Sequence, residues 1–139
     1  MKKIFLILIF LIGFNSIAQT KMPKIGDKTF IWAEKEQNKN FKINFNYLLK
    51  DYNIPQKQLD IIIMNAIIKC KFKLKNKLSF KPIEVGIINW EDRFGVIVEF
   101  SGKNEYGLDD VYLSLFSFTK EVNGYDDFTH ISTEEKNTP

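Results

Sequence analysis

The stretch Gln56-Lys57-Gln58-Leu59-Asp60-Ile61-Ile62-Ile63-Met64-Asn65-Ala66-Ile67-Ile68-Lys69-Cys70 decides the fold. Leu59, Ile62, Ile63, Ala66, Ile67 and Cys70 recur at alternating intervals of three and one, the spacing that lines one face of an α-helix. Pro55 follows Asn53-Ile54 and is placed to begin it, because proline's fixed φ and missing N–H suit a first turn. Further on, Lys69, Lys71, Lys73, Lys75 and Lys77 alternate with Cys70, Phe72, Leu74, Asn76 and Leu78 in a strand-like way, yet Cys70, Leu74 and Leu78 also continue the helical face. No turn signal intervenes, so the pattern predicts a helix over residues 56–75. Asn76 then serves as its breaker, and the lysines complement the negative end of the helix dipole.

Downstream of the helix everything reads as antiparallel sheet. Ile83 to Trp90 forms a first strand, Glu91-Asp92-Arg93-Phe94-Gly95 a turn, Val96 to Ser101 a second strand, Gly102 to Asp109 a loop, and Asp110 to Thr119 a third strand. On that third strand Val111, Leu113 and Leu115 point one way and Tyr112, Ser114, Phe116 and Phe118 the other. Asn123-Gly124 is a strong hairpin signal and predicts a short fourth strand from Tyr125 to Ser132. Thr133 to Pro139 is polar and is expected to be a disordered tail.

Upstream, Lys21 to Lys28 reads as a loose lead-in, Thr29 to Ala33 as an edge strand or a turn of helix, and Glu34 to Asn40 as a loop. Phe41, Ile43, Phe45 and Tyr47 alternate with polar residues as a strand does, until Leu48 and Leu49 break the pattern. The expected fold is α+β: one long helix packed on an antiparallel meander of three to four strands, in a single domain over residues 19–132. The general style is that of cystatin-like or NTF2-like sheets, which wrap a helix.

The N-terminus predicts export. Lys2 and Lys3 precede an apolar run from Ile4 to Phe14, and Ser16-Ile17-Ala18 supplies small residues before Gln19, the layout of a signal peptide over residues 1–18. The run is too short to span the hydrocarbon core of a bilayer, so no membrane span is expected in the mature form. A soluble periplasmic or secreted protein is the expected product.

With one Cys and one His among 139 residues, a disulfide scaffold and a Cys/His zinc site are excluded. Cys70 lies on the apolar helix face and reads as a small buried side chain. Lysines outnumber the single Arg93, and bidentate phosphate and guanine recognition favours arginine, so no nucleic-acid partner is expected. Charge is divided along the chain: residues 19–81 hold 14 Lys against 5 acids, whereas residues 82–139 hold 4 bases against 12 acids. Packing of the two parts is expected to intermix these charges.

Leu74-Lys75-Asn76-Lys77-Leu78-Ser79-Phe80-Lys81, followed by a strand pair and then Gly102-Lys103-Asn104-Glu105-Tyr106-Gly107, resembles a pattern in small exported bacterial and phage proteins of unassigned function. In those a helix ends in Leu-Lys-Asn/Asp-Pro-x-Ser and a later strand in Lys-Asn-x-aromatic-Gly-Gly. Lys77 stands here for the proline and Leu108 for the second glycine. The resemblance implies a helix followed by a meander and implies no activity.

No catalytic constellation is visible. His130 lies near Asp126 and Asp127 but lacks partners, and no Gly-x-Ser-x-Gly, phosphate loop or His-Glu-x-x-His occurs. Glu105, Asp109 and Asp110 crowd one loop, yet their spacing fits no EF-hand. The lysines from 69 to 77 read as solvated side chains over the core or, alternatively, as contacts to lipid head groups. No catalytic residue, metal or cofactor is therefore assigned. Trp90, Arg93 and Phe94 at the hairpin, with Tyr112, Phe116 and Phe118 on the third strand, are the candidate binding surface, since aromatics and arginine dominate such surfaces. The expected function is a non-enzymatic exported binding protein for an unknown protein or envelope component. The alternative is a small-ligand carrier or pocket enzyme whose cavity is lined by Tyr112, Phe116 and Phe118.

Overall fold

Among the described residues, alternating polar and apolar positions make six strands, packed with one α-helix. Thr29–Glu34 (β1) and Lys39–Tyr47 (β2) form a hairpin, Gln56–Lys73 forms α1, and Lys81–Trp90 (β3), Arg93–Lys103 (β4), Asp109–Thr119 (β5) and Thr129–Glu135 (β6) follow. The structure is a computed structural model describing residues 19–49, 52–90, 93–119 and 128–136. The predicted signal peptide, Glu91-Asp92, Asn123-Gly124 and residues 137–139 lie outside the described residues.

The sheet runs in strictly sequential order from β1 to β6. Neighbours are antiparallel except β2 and β3, which are parallel because α1 carries the chain back across the sheet, as a parallel pair requires. The α+β class stands, but the sheet has six strands among the described residues, not three or four. Thr29–Ala33 joins as a strand because Phe30 and Trp32 bury on the helix side, where the Phe30 ring meets Phe45 edge-on at 6.1 Å.

Other boundaries also move. The helix begins after Pro55 but ends at Lys73, where Leu74 turns to extended backbone and a short 3-10 turn, Lys77–Ser79, replaces the predicted last turn. Arg93, Phe94 and Gly95 are strand rather than turn, pairing with Trp90, Asn89 and Ile88. Thr133, Glu134 and Glu135 belong to β6, not to a tail: Thr133 and Glu135 pair with Ser114 and Tyr112, and the Ser114 and Thr133 hydroxyls lie 2.7 Å apart.

The core lies between α1 and one face of the sheet. Leu59, Ile63, Ala66, Ile67 and Cys70 are fully buried, as are Ile43, Val85, Ile87, Val96, Val98, Phe100 and Phe116 from the strands. Among the described residues the core and the side chains packed against it run from Met22 to Phe128. Lys71 reaches from α1 to the β1–β2 hairpin, 2.9 Å from Glu34 and 2.8 Å from Glu36. Burial pulls the Lys71 pKa down, but its hydrogen bonds to Glu36 and Glu34 outweigh this and leave it raised.

Sequential strand order has an electrostatic consequence, since it leaves the basic part of the chain in β1, β2 and α1 and the acidic part in β3 to β6. Among the ion pairs of the described residues, Lys75–Glu105 joins the two parts. Lys71–Glu34, Lys71–Glu36, Lys103–Asp109 and Lys136–Glu99 each stay within one part.

Candidate functional site

The predicted binding residues separate onto opposite faces. Trp90 pairs with Arg93 and Asn89 with Phe94, so alternation sends Trp90 and Arg93 outward and Phe94 toward the helix. Phe94 is 1% exposed, packed between the rings of Tyr52 at 5.1 Å and Phe118 at 5.0 Å. Phe116 and Phe118 are also core residues, so they fill the space between helix and sheet rather than line a cavity there. Tyr112 is half-buried and stacked on Phe100 at 5.4 Å. It lines a cleft of about 360 Å³ with Lys73, Asp110, Thr133 and Glu135. Burial, then Asp110 and Glu135, raises its phenol pKa.

The open side of the sheet carries a different set. Ile88 on β3, Ile97 on β4, and Val111, Leu113 and Leu115 on β5 are partly exposed there, with Trp90 at the margin. Close approach shapes this surface at Gly95, where a Cβ would stand 2.8 Å from Ile88 Cγ1. The glycine lets the Ile88 side chain lie flat across β4. A shallow depression of about 150 Å³ is lined by Asn46, Leu48, Glu84, Gly86, Ile88, Ile97, Glu99 and Leu113. Its polar rim is already organised: Asn46 Nδ2 donates to Glu84 at 2.7 Å and Lys136 Nζ to both Glu99 oxygens at 3.2 Å. Arg93 Nε donates to Ser117 Oγ at 3.2 Å on the same face. Alternation groups side chains along each strand, and the pairing register brings Ile88, Ile97 and Leu113 onto one face. What alternation does not give is that their face is the open one.

The two stretches behind the family resemblance form one packed corner. Ser79 Oγ donates to Asn76 O at 2.6 Å and accepts from Lys103 N at 2.8 Å, tying the helix exit to β4. Asn104 Oδ1 accepts from Tyr106 N at 2.9 Å and Leu108 N at 3.0 Å, while its amide donates to Asp110 at 2.6 Å. Leu74 covers Gly102, where a Cβ would come within 2.3 Å of its Cδ1. These residues shape the fold and bound a cleft of about 590 Å³ lined by Lys75, Lys77, Leu78, Lys103 and Glu105 among others.

Titratable groups converge on no reaction centre among the described residues. Three or more His, Cys, Asp or Glu side chains grouped to hold a metal do not occur there, and Glu105 and Asp109 face Lys75 and Lys103 at 3.5 Å each. Cys70 is buried and its thiol pushed up to about 12 by burial, against the Ser114 hydrogen bond and Lys73. His130 Nδ1 lies 3.3 Å from Lys73 Nζ and Nε2 lies 2.8 Å from Thr133 Oγ1. Burial and then Lys73 lower its pKa. No described helix is long and apolar enough to cross a membrane. The chain matches no protein-family model, no curated protein and no solved structure.

Proposed function

We propose that this chain is a small exported, non-enzymatic binding protein that engages a protein of the cell envelope through the open face of its sheet. The observation that carries the reading is the set of Ile88, Ile97, Leu113 and Leu115, partly exposed on β3, β4 and β5 while the other face of those strands is covered by α1. An apolar centre with a polar rim is the usual composition of a protein-binding patch, and Trp90 and Arg93 at its edge are residue types that supply anchors. Export is supported by the basic start, apolar run and small residues of positions 2–18.

The test is capture from envelope extract by residues 19–139, comparing the parent with Ile97→Lys and Trp90→Ala on the open face and Phe72→Ser on the helix. A partner retained by the parent and Phe72→Ser but lost with Ile97→Lys supports the assignment. Equal capture by all four removes the open face from the account.

A further inference from the structure

Helix α1 is apolar on two sides. Leu59, Ile62, Ile63, Ala66, Ile67 and Cys70 make the buried side. Ile61, Met64, Ile68 and Phe72 recur at intervals of three and four, and at about 100° per residue they line the opposite side. Met64, Ile68 and Phe72 are exposed, Phe72 to 65%, and Leu78 just past the helix is exposed to 61%. Core formation does not require this second stripe, and a solvent-facing helix side is ordinarily polar.

The charges bordering the stripe are of one kind. Lys57 and Lys71 lie on the stripe's side of α1 with the single acid Asp60, and Lys75 and Lys77 follow, while Lys69 and Lys73 reach Phe128 and His130 of the β6 side. Lys71 is committed to Glu34 and Glu36, and Lys75 to Glu105. Among the described residues Lys57, Lys69, Lys73 and Lys77 have no acidic partner. Lys77 Nζ instead lies 5.0 Å above the Phe72 ring, and Lys69 Nζ 4.8 Å above Phe128.

We propose that the outer stripe of α1 docks the protein peripherally on an anionic phospholipid surface. Ile61, Met64, Ile68, Phe72 and Leu78 enter the boundary between headgroups and acyl chains, and Lys57 and Lys77 lie against the phosphates. An apolar stripe with lysine flanks is the pattern of a helix lying in the membrane interface. A second copy is the poorer occupant, because it brings like-charged lysines together across the contact. An acidic protein is also poorer, because lysine is a point charge suited to diffuse headgroup charge, whereas paired carboxylates select arginine's fork. This surface is the side opposite the open sheet face, so the two assignments stand or fall separately.

Residues 19–139 are sedimented at low salt with vesicles of phosphatidylcholine alone and of equimolar phosphatidylcholine and phosphatidylglycerol. Binding is expected to the mixed vesicles and to fade as salt screens the lysines. Lys57→Gln with Lys77→Gln lowers partitioning roughly thirtyfold, taking about fivefold per lysine near the surface. Met64→Ser with Phe72→Ser abolishes binding, and because both positions are exposed, far-ultraviolet circular dichroism stays unchanged. No binding to mixed vesicles, equal binding to both lipids, or binding indifferent to the serine substitutions overturns the proposal. So does a dimer in sedimentation equilibrium that Phe72→Ser dissolves, which gives the stripe to a second copy. Equal displacement by poly-L-glutamate gives it to an acidic protein and overturns the proposal as well.

Discussion

Replacing Gly102 by alanine has a predicted sign that depends on Leu74. In the native protein a Cβ at position 102 stands 2.3, 2.9 and 3.1 Å from Leu74 Cδ1, Cδ2 and Cγ, inside contact distance for three carbons of one side chain. The leucine must swing away from a buried seat, and overpacking of this kind costs about 1–3 kcal/mol. Gly102 is not among the residues with positive φ, so the backbone itself accepts alanine. Freed of the clash, Gly→Ala at such a position gains roughly 0.4–1 kcal/mol by narrowing the unfolded ensemble. Leu74→Ala alone empties a site that is 7% exposed and costs about 2–5 kcal/mol. In that background Gly102→Ala therefore turns from destabilising to neutral or stabilising, giving a coupling of about 1–3 kcal/mol between the two positions. Urea unfolding followed by tryptophan fluorescence and circular dichroism, with equal m-values across the four proteins, measures it. Additivity within about 0.5 kcal/mol refutes the claim that these side chains compete for one space.

Lys71→Met leaves the Glu34 carboxylate buried without its cation and is expected to cost about 3 kcal/mol; adding Glu34→Gln recovers part of that in the same unfolding assay. Burial and then Lys73 lower the His130 pKa in the folded state, so the unfolded chain binds more protons and stability falls as pH drops through the ordinary value of 6.5 toward the lowered one; His130→Gln is expected to lose less stability over that interval. The Cys70 thiol, buried and raised to about 12, is expected to resist an aromatic disulfide reagent at neutral pH until the protein is unfolded; rapid native-state labelling, followed by absorbance, contradicts the burial.

Where a local signal is strong, chain and fold agree. The helix start at Gln56 follows from Pro55, and the buried set Leu59 to Cys70 from spacing alone, because residues three and four apart share a face whatever surrounds them. The helix end does not. Lys73 and Lys75 both fit a helical pattern, and the exit is decided by Leu74 seating on Gly102, a contact between residues 28 positions apart. Likewise Thr29–Ala33 carries too few residues to declare itself, and its membership in the sheet depends on Phe30 and Trp32 finding the side covered by α1.

Sequence by itself determined the α+β class, the residues that share each strand face, the buried side of α1 and the division of charge between the two parts of the chain. Tertiary structure decided the parallel joint between β2 and β3 and the order of the six described strands. It also decided which face of β4 and β5 is open. Alternation says that Val111, Leu113 and Leu115 oppose Tyr112, Phe116 and Phe118, and it is symmetric between those two sides. The symmetry is broken by α1, which lies on the side bearing the aromatic rings. That placement buries Phe94, Phe116 and Phe118 as core and leaves the aliphatic side chains of the opposite face partly exposed.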